Sequence, residues 1–117
     1  MKVMLVDDSS TMRRIQKTQL AGMGLTDVVE ASNGKEALDL LDKGGVDQVL
    51  LDWNMPELDG MGFLKKMREN GAFKDVKVIM CTSESEKSRV IEALKAGANS
   101  YIVKPFGPQA LKDKLGL

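Results

Sequence analysis

Short apolar runs alternate along this chain with segments of helical spacing. Val3-Met4-Leu5-Val6, Val28-Val29, Val49-Leu50-Leu51, Val76-Lys77-Val78-Ile79-Met80 and Tyr101-Ile102-Val103 are brief and mostly aliphatic or β-branched, which predicts five strands. Between them, apolar residues recur three or four positions apart, as on one face of a helix. Met12, Ile15, Leu20 and Met23 form one such stripe, Leu38 and Leu41 a second, and Leu64 and Met67 a third. Val90, Ile91 and Leu94 form the fourth, and Leu111 and Leu115 the fifth. The punctuation agrees with this reading. Asn33 with Glu36 three residues on suits a capping-box variant, and Asp59 suits the cap of the third helix. Gly22, Gly24, Gly44, Gly45, Gly71 and Gly97 fall where helices should stop, and Pro108 fits a first helical turn.

Strict strand–helix alternation implies a parallel sheet with helices on both faces. Right-handed crossovers make five such units a doubly wound (βα)5 sandwich, an α/β fold. The first, third and fourth runs are the most apolar, as expected of strands buried on both sides. That suggests the order 2-1-3-4-5, which known doubly wound sheets share and the pattern alone does not dictate. The 117 residues fit one domain, 1–117, with no linker or internal repeat beyond the alternation.

Composition narrows the function classes. The chain carries 17 basic and 17 acidic residues, so no net charge draws it to nucleic acid or anionic lipid. With no histidine, His-based catalysis and most zinc sites are excluded. The single cysteine, Cys81, excludes an intramolecular disulfide and suits packing in an apolar run. The opening run is too short for a signal peptide or membrane span, so a cytoplasmic location is expected. Met12-Arg13-Arg14 is too small a basic cluster for nucleic acid and reads as a solvated helix face.

The chemistry lies just past the strands, where open α/β sheets bind ligands. Asp7 and Asp8 follow the first run, Asp52 the third, Thr82 the fourth and Lys104 the fifth. The strand order brings these together, while the second strand, with only Ala31-Ser32-Asn33-Gly34 after it, lies outside. Three carboxylates and one ammonium sum to minus two. Clustered carboxylates repel unless a cation intervenes, and a divalent ion cancels the sum. The candidate ligands are all oxygens, which selects Mg²⁺ or Mn²⁺. Each group also has a plain structural reading. Asp7-Asp8-Ser9-Ser10 can cap a helix, Asp52 can face solvent, and Lys104 before Pro105 can sit in a turn. Their joint placement is a poor coincidence. Gly22-Met23-Gly24 follows a helix and makes no dinucleotide fingerprint, and no phosphate-binding Gly-x-x-x-x-Gly-Lys loop occurs.

The chain resembles the receiver domains of two-component response regulators, and is most similar to the single-domain chemotaxis regulators. The segments that carry the resemblance are Leu5-Val6-Asp7-Asp8-Ser9, Ser10-Thr11-Met12-Arg13-Arg14, Asp52-Trp53-Asn54-Met55-Pro56-Glu57-Leu58-Asp59-Gly60, Thr82-Ser83-Glu84, Ala96-Gly97-Ala98 and Tyr101-Ile102-Val103-Lys104-Pro105-Phe106. The resemblance implies a flavodoxin-like fold and a signalling switch that promotes its own Mg²⁺-dependent phosphorylation and dephosphorylation. It implies that Asp52 is the phosphoacceptor. Asp8, Asp52 and the Asn54 backbone carbonyl would bind Mg²⁺ directly, with Asp7 acting through water. Lys104 would hold the phosphoryl group and Thr82 would sense it. Tyr101 would swing inward with Thr82, Asn54 and Glu84 would tune access of hydrolytic water, and the Lys104–Pro105 bond would be cis. The implied partners are a histidine kinase as donor, a phosphatase, and a flagellar motor-switch target on the face of the fourth helix, fifth strand and fifth helix. The chain itself would be a monomer. A phosphate sink or relay receiver without a motor target is the alternative, and a receiver half of a DNA-binding regulator a third. Two features depart from the pattern. The last helix has little room between Pro108 and Leu117, and Ser83 stands where alanine is common.

Overall fold

The computed structural model describes residues 1–53, 59–83 and 89–117. Its sheet runs β2-β1-β3-β4-β5, with β1 Val3–Val6, β2 Val28–Ala31, β3 Gln48–Asp52, β4 Lys77–Thr82 and β5 Ser100–Val103. Every pairing is parallel. The helices are α1 Ser10–Gly22, α2 Gly34–Asp42, α3 Gly60–Glu69, α4 Val90–Lys95 and α5 Pro108–Leu115, with a 3₁₀ turn at Gly71–Phe73. The predicted order 2-1-3-4-5 is the observed one. The strands differ from expectation only at their ends. Val76 precedes β4, whereas Thr82 and Asp52 are the last residues of their strands.

Alternation along the strands divides the core. Met4, Val6, Val49, Leu51, Val78 and Met80 pack with Ala37, Leu41, Phe63, Leu64 and Met67. Val3, Leu5, Leu50, Ile79, Cys81 and Ile102 pack on the other side with Leu20, Leu111 and Leu115. Thus α2 and α3 cover one face and α1 and α5 the other. Burial on both faces is why the three central strands read as continuous apolar runs.

Two helical stripes face differently from expectation. Ile15 is 48 % exposed, while Gln16 is buried. The inward line of α1 runs through Gln16 and Leu20, four residues apart, and Ile15 lies about 100° around the helix from Gln16. On α4 only Ala93 is buried, whereas Ile91 is 65 % and Leu94 42 % exposed. The small Ala93 faces the sheet, leaving the two larger side chains outside.

The helix starts follow the predicted caps. Asn33 Oδ1 accepts from Glu36 N at 2.8 Å, and Asp59 Oδ1 accepts from Gly62 N at 2.8 Å. Glu36 reaches back to the amide and hydroxyl of Ser32, one residue earlier than in a standard capping box. Gly60 sits against the end of β3, where a Cβ would collide with the Asp52 carbonyl. Its lack of a side chain lets α3 start directly beneath Asp52.

Candidate functional site

The carboxyl ends of β1, β3 and β5 place Asp7, Asp52 and Lys104 together. Lys104 Nζ lies 3.2 Å from Asp7 Oδ2 and 3.1 Å from Asp52 Oδ1. Asp8 completes an acidic group: Asp7, Asp8 and Asp52 each offer a carboxylate oxygen, all within 4.8 Å of one another. Asp7 is buried, Asp52 half-buried and Asp8 exposed, so the cluster opens to solvent on one side.

Local geometry fixes these groups. Ser9 N donates to Asp7 Oδ1 at 2.9 Å, so the first aspartate folds over the turn into α1. Ser9 also caps α1, its Oγ accepting from Met12 N at 3.2 Å. Lys104 N donates to Thr82 O at 2.6 Å and holds the end of β5 to β4. The Lys104–Pro105 peptide is cis, as the resemblance implied.

Electrostatics set the state of the pair. Burial pushes the Asp52 carboxyl above the ordinary range, and Lys104 opposes this without cancelling it. Burial alone would lower the Lys104 ammonium, but Asp52 and Asp7 outweigh it and hold Lys104 above its usual value. Lys104 is therefore a firmly charged cation. The Cys81 thiol, fully buried, is pushed up to about 12 and is no nucleophile. The acceptors are all oxygens, the charge sum is minus two, and one side is open. This donor set fits a hard divalent cation.

Thr82 is buried, and its hydroxyl donates to Ser83 O at 3.0 Å. Tyr101 pairs with Met80, and Thr82 with Val103, so Thr82 and Tyr101 are diagonal neighbours on one face of the sheet. Tyr101 is partly buried against the core, with Lys114 Nζ 5.2 Å from its ring centroid. Trp53 is buried, and the Arg89 guanidinium lies over its ring at 5.3 Å. Asn54 and Glu84 lie outside the described residues. Arg13 was expected on a solvated face. Its side chain is instead 16 % exposed, pairs with Glu30 at 3.1 Å and donates from Nη1 to the Asp7 carbonyl. Sequence spacing held a signal for this contact, because Arg13 lies one helical turn past the Ser9 cap and can reach back over it.

Comparison with known proteins agrees with this arrangement. The family described as response regulator receiver domain matches residues 3–116. This chain belongs to that family. The receiver is 54 % identical over 116 residues to chemotaxis protein CheY1 of Helicobacter pylori, covering 98 % of this chain and 94 % of the relative. It is 55 % identical to a chemotaxis protein CheY homologue of Campylobacter jejuni, covering 98 % and 89 %. Among solved structures it is similar to chemotaxis protein CheY4 of Vibrio cholerae, with a TM-score of 0.89, 34 % identity, and coverage of 98 % of this chain and 95 % of that one. It is likewise similar to the receiver domain of Francisella response regulator 1452, with a TM-score of 0.87, 33 % identity, and coverage of 98 % and 93 %. The receiver is a two-component response regulator in its family and fold, and a signalling switch by class. Among the described residues no helix is long and apolar enough to cross a membrane.

Proposed function

We propose that this receiver accepts a phosphoryl group on Asp52 from a histidine kinase and passes the signal to a target, most closely a flagellar motor-switch protein. The observation that carries the reading is Lys104 Nζ held between Asp7 and Asp52, beside the open acidic cluster. In the transfer, an Asp52 carboxylate oxygen forms a P–O bond as the donor's phosphohistidine P–N bond breaks. The electron pair leaves with the imidazole, which takes a proton from solvent. Such a transfer needs positioning and charge neutralisation more than covalent help. Lys104 supplies a fixed positive charge at the oxygens of the incoming group. Asp7, Asp8 and Asp52 would hold Mg²⁺ or Mn²⁺, which when bound neutralises charge on the carboxylates and the phosphoryl oxygens. The Asn54 carbonyl as a further ligand, and Asn54 and Glu84 as residues that tune hydrolysis, rest on the family resemblance.

Thr82 would exchange its bond to Ser83 for one to the phosphoryl group, a stronger, charge-assisted contact. The space it leaves on the shared sheet face would admit the Tyr101 ring. Exposed Ile91 and Leu94 on the neighbouring helix favour a receiver with an output contact over a phosphate sink or relay. The chemotaxis names of the relatives support a motor-switch target.

The test is intact-mass analysis after incubation with acetyl phosphate. One added phosphoryl group is expected with Mg²⁺, with labelling abolished in Asp52→Asn and reduced at least a hundredfold in excess chelator, since metal neutralisation contributes several kcal/mol. Equal labelling in chelator, or labelling that survives Asp52→Asn, would overturn the assignment.

A further inference from the structure

We infer that Arg13 is a positioning residue for the acidic cluster, acting through the peptide that joins Asp7 to Asp8. The inference rests on the metal-dependent reading above. The three carboxylates are held by different means. Asp7 is tied by Ser9 N and Lys104, and Asp52 by Lys104. Asp8 is exposed, and its carboxylate has no hydrogen-bond partner among the described residues. What constrains Asp8 is its backbone. The Asp7 carbonyl and the Asp8 amide lie in one rigid plane, so holding that carbonyl holds the Asp8 Cα from which the side chain departs and leaves only rotation about the bonds beyond the plane to aim it.

Arg13 fixes that carbonyl. Nη1 donates to Asp7 O, while Nε donates to Glu30 Oε1 at 3.1 Å. Glu30 stands on β2 in register with Leu5, and Lys17 Nζ lies 3.7 Å from its other oxygen. The carboxylate thus aims the guanidinium from a neighbouring strand. A planar fork with several donors can span a carboxylate and a carbonyl at once, which an ammonium on a flexible stem cannot do in the same geometry. Asp7 N also donates to Ala31 O at 3.1 Å, so β2 grips the residue on one side and α1 on the other.

An ordinary surface ion pair makes the opposite prediction. If Arg13 only neutralised Glu30, removing it would take a positive charge from beside an acidic cluster, and a dication would bind more tightly. If Arg13 positions Asp8, removing it weakens the ion's binding despite the better charge balance. The sign of the change decides between them.

The experiment is calorimetric titration of Mg²⁺ into the unphosphorylated wild type, Arg13→Met and Arg13→Lys, with thermal unfolding in chelator as the folding control. Residues that orient metal ligands typically change affinity by about tenfold or more, so a roughly tenfold weaker Kd is expected for Arg13→Met. Arg13→Lys, which keeps the charge but not the fork, is expected to lie nearer Arg13→Met than wild type. Glu30→Gln, which leaves the Asp7 contact possible but less firmly aimed, is expected to fall between. Equal or tighter Mg²⁺ binding by Arg13→Met, beside a wild type that binds, overturns the positioning role alone. A wild type that does not bind Mg²⁺ overturns the parent reading and this one with it. A Met variant already unfolded in chelator is replaced by Arg13→Lys and Glu30→Gln, and wild-type affinity in both overturns the role.

Discussion

Asp52 is the residue on which two demands conflict. To receive a phosphoryl group it must be an accessible carboxylate, yet its position at the end of a central strand removes part of its solvent. Burial raises its pKa, and Lys104 restores only part of the loss. A carboxyl raised above its unfolded value of 3.8 favours the fold most when protonated. That contribution is complete below the unfolded pKa and is lost as pH rises through the folded one. At neutral pH the ionised Asp52 therefore costs stability in the absence of metal. Asp52→Asn is expected to raise Tm by a few degrees at pH 7 in chelator, and the gain should shrink toward zero as pH falls below about 4. Thermal unfolding across that range checks it, and a lower Tm at pH 7 would show that the Lys104 pair outweighs the burial. Lys104, also raised, has the complementary window: its contribution holds at neutral pH and is lost only as pH climbs through its elevated pKa. The sequence disclosed Asp7, Asp8, Asp52 and Lys104 because each follows an apolar run. For Arg13 the one-turn spacing from Ser9 only permits the contact, and whether it forms depends on how the α1 entry turns back over the Asp7 carbonyl.

At the level of elements, the site depends on how helices start at the carboxyl edge of the sheet. Alternation and capping residues made the five units legible, and Asn33 and Asp59 cap where their side-chain chemistry indicated. The inward faces of α1 and α4 were less legible. Ile15 and Gln16 are adjacent, and apolar spacing favours Ile15, yet the packed face takes Gln16. Its Oε1 is buried without a partner among the described residues, a cost that a pattern of apolar residues cannot register. On α4, tertiary position decides, since Ala93 is its one buried residue. Gly60 shows the link between element and site most directly. A Cβ there would press on the Asp52 carbonyl and the Trp53 Cα, both of them backbone, so relief requires α3 or the end of β3 to move. Gly60→Ala is expected to cost about 1–3 kcal/mol in denaturant unfolding and to slow labelling of Asp52 by acetyl phosphate. Unchanged stability would mean that α3 can withdraw freely.

Over the whole molecule, one end of the sheet is braced while the other carries the site. At the amino end of β4, Arg68 donates to the carbonyls of Gly97, Phe73 and Val76 and to Asn99 Oδ1. The Asn99 oxygen also accepts from Val78 N at 2.8 Å, so α3, β4 and the turn before β5 share one hub. A Cβ on Gly97, where φ is +115°, would meet the Arg68 side chain. On α4 only Ala93 is buried while Ile91 and Leu94 are exposed, and Tyr101 on β5 is partly buried against the core. A two-state change need shift only a few kcal/mol to move its population about a hundredfold. Thr82 and Tyr101 are diagonal on one sheet face, and under the proposed function they would connect Asp52 to that surface. The measurement that tests this account most directly is amide-shift mapping by NMR with Mg²⁺, before and after adding beryllofluoride as a phosphoryl mimic. The expected result is large shifts at Asp7, Asp8, Asp52 and Lys104, accompanied by shifts at Thr82, Tyr101, Ile91 and Leu94, all absent in Asp52→Asn. Shifts confined to the loops around Asp7, Asp52 and Lys104, with Tyr101 and Ile91 unmoved, would contradict it.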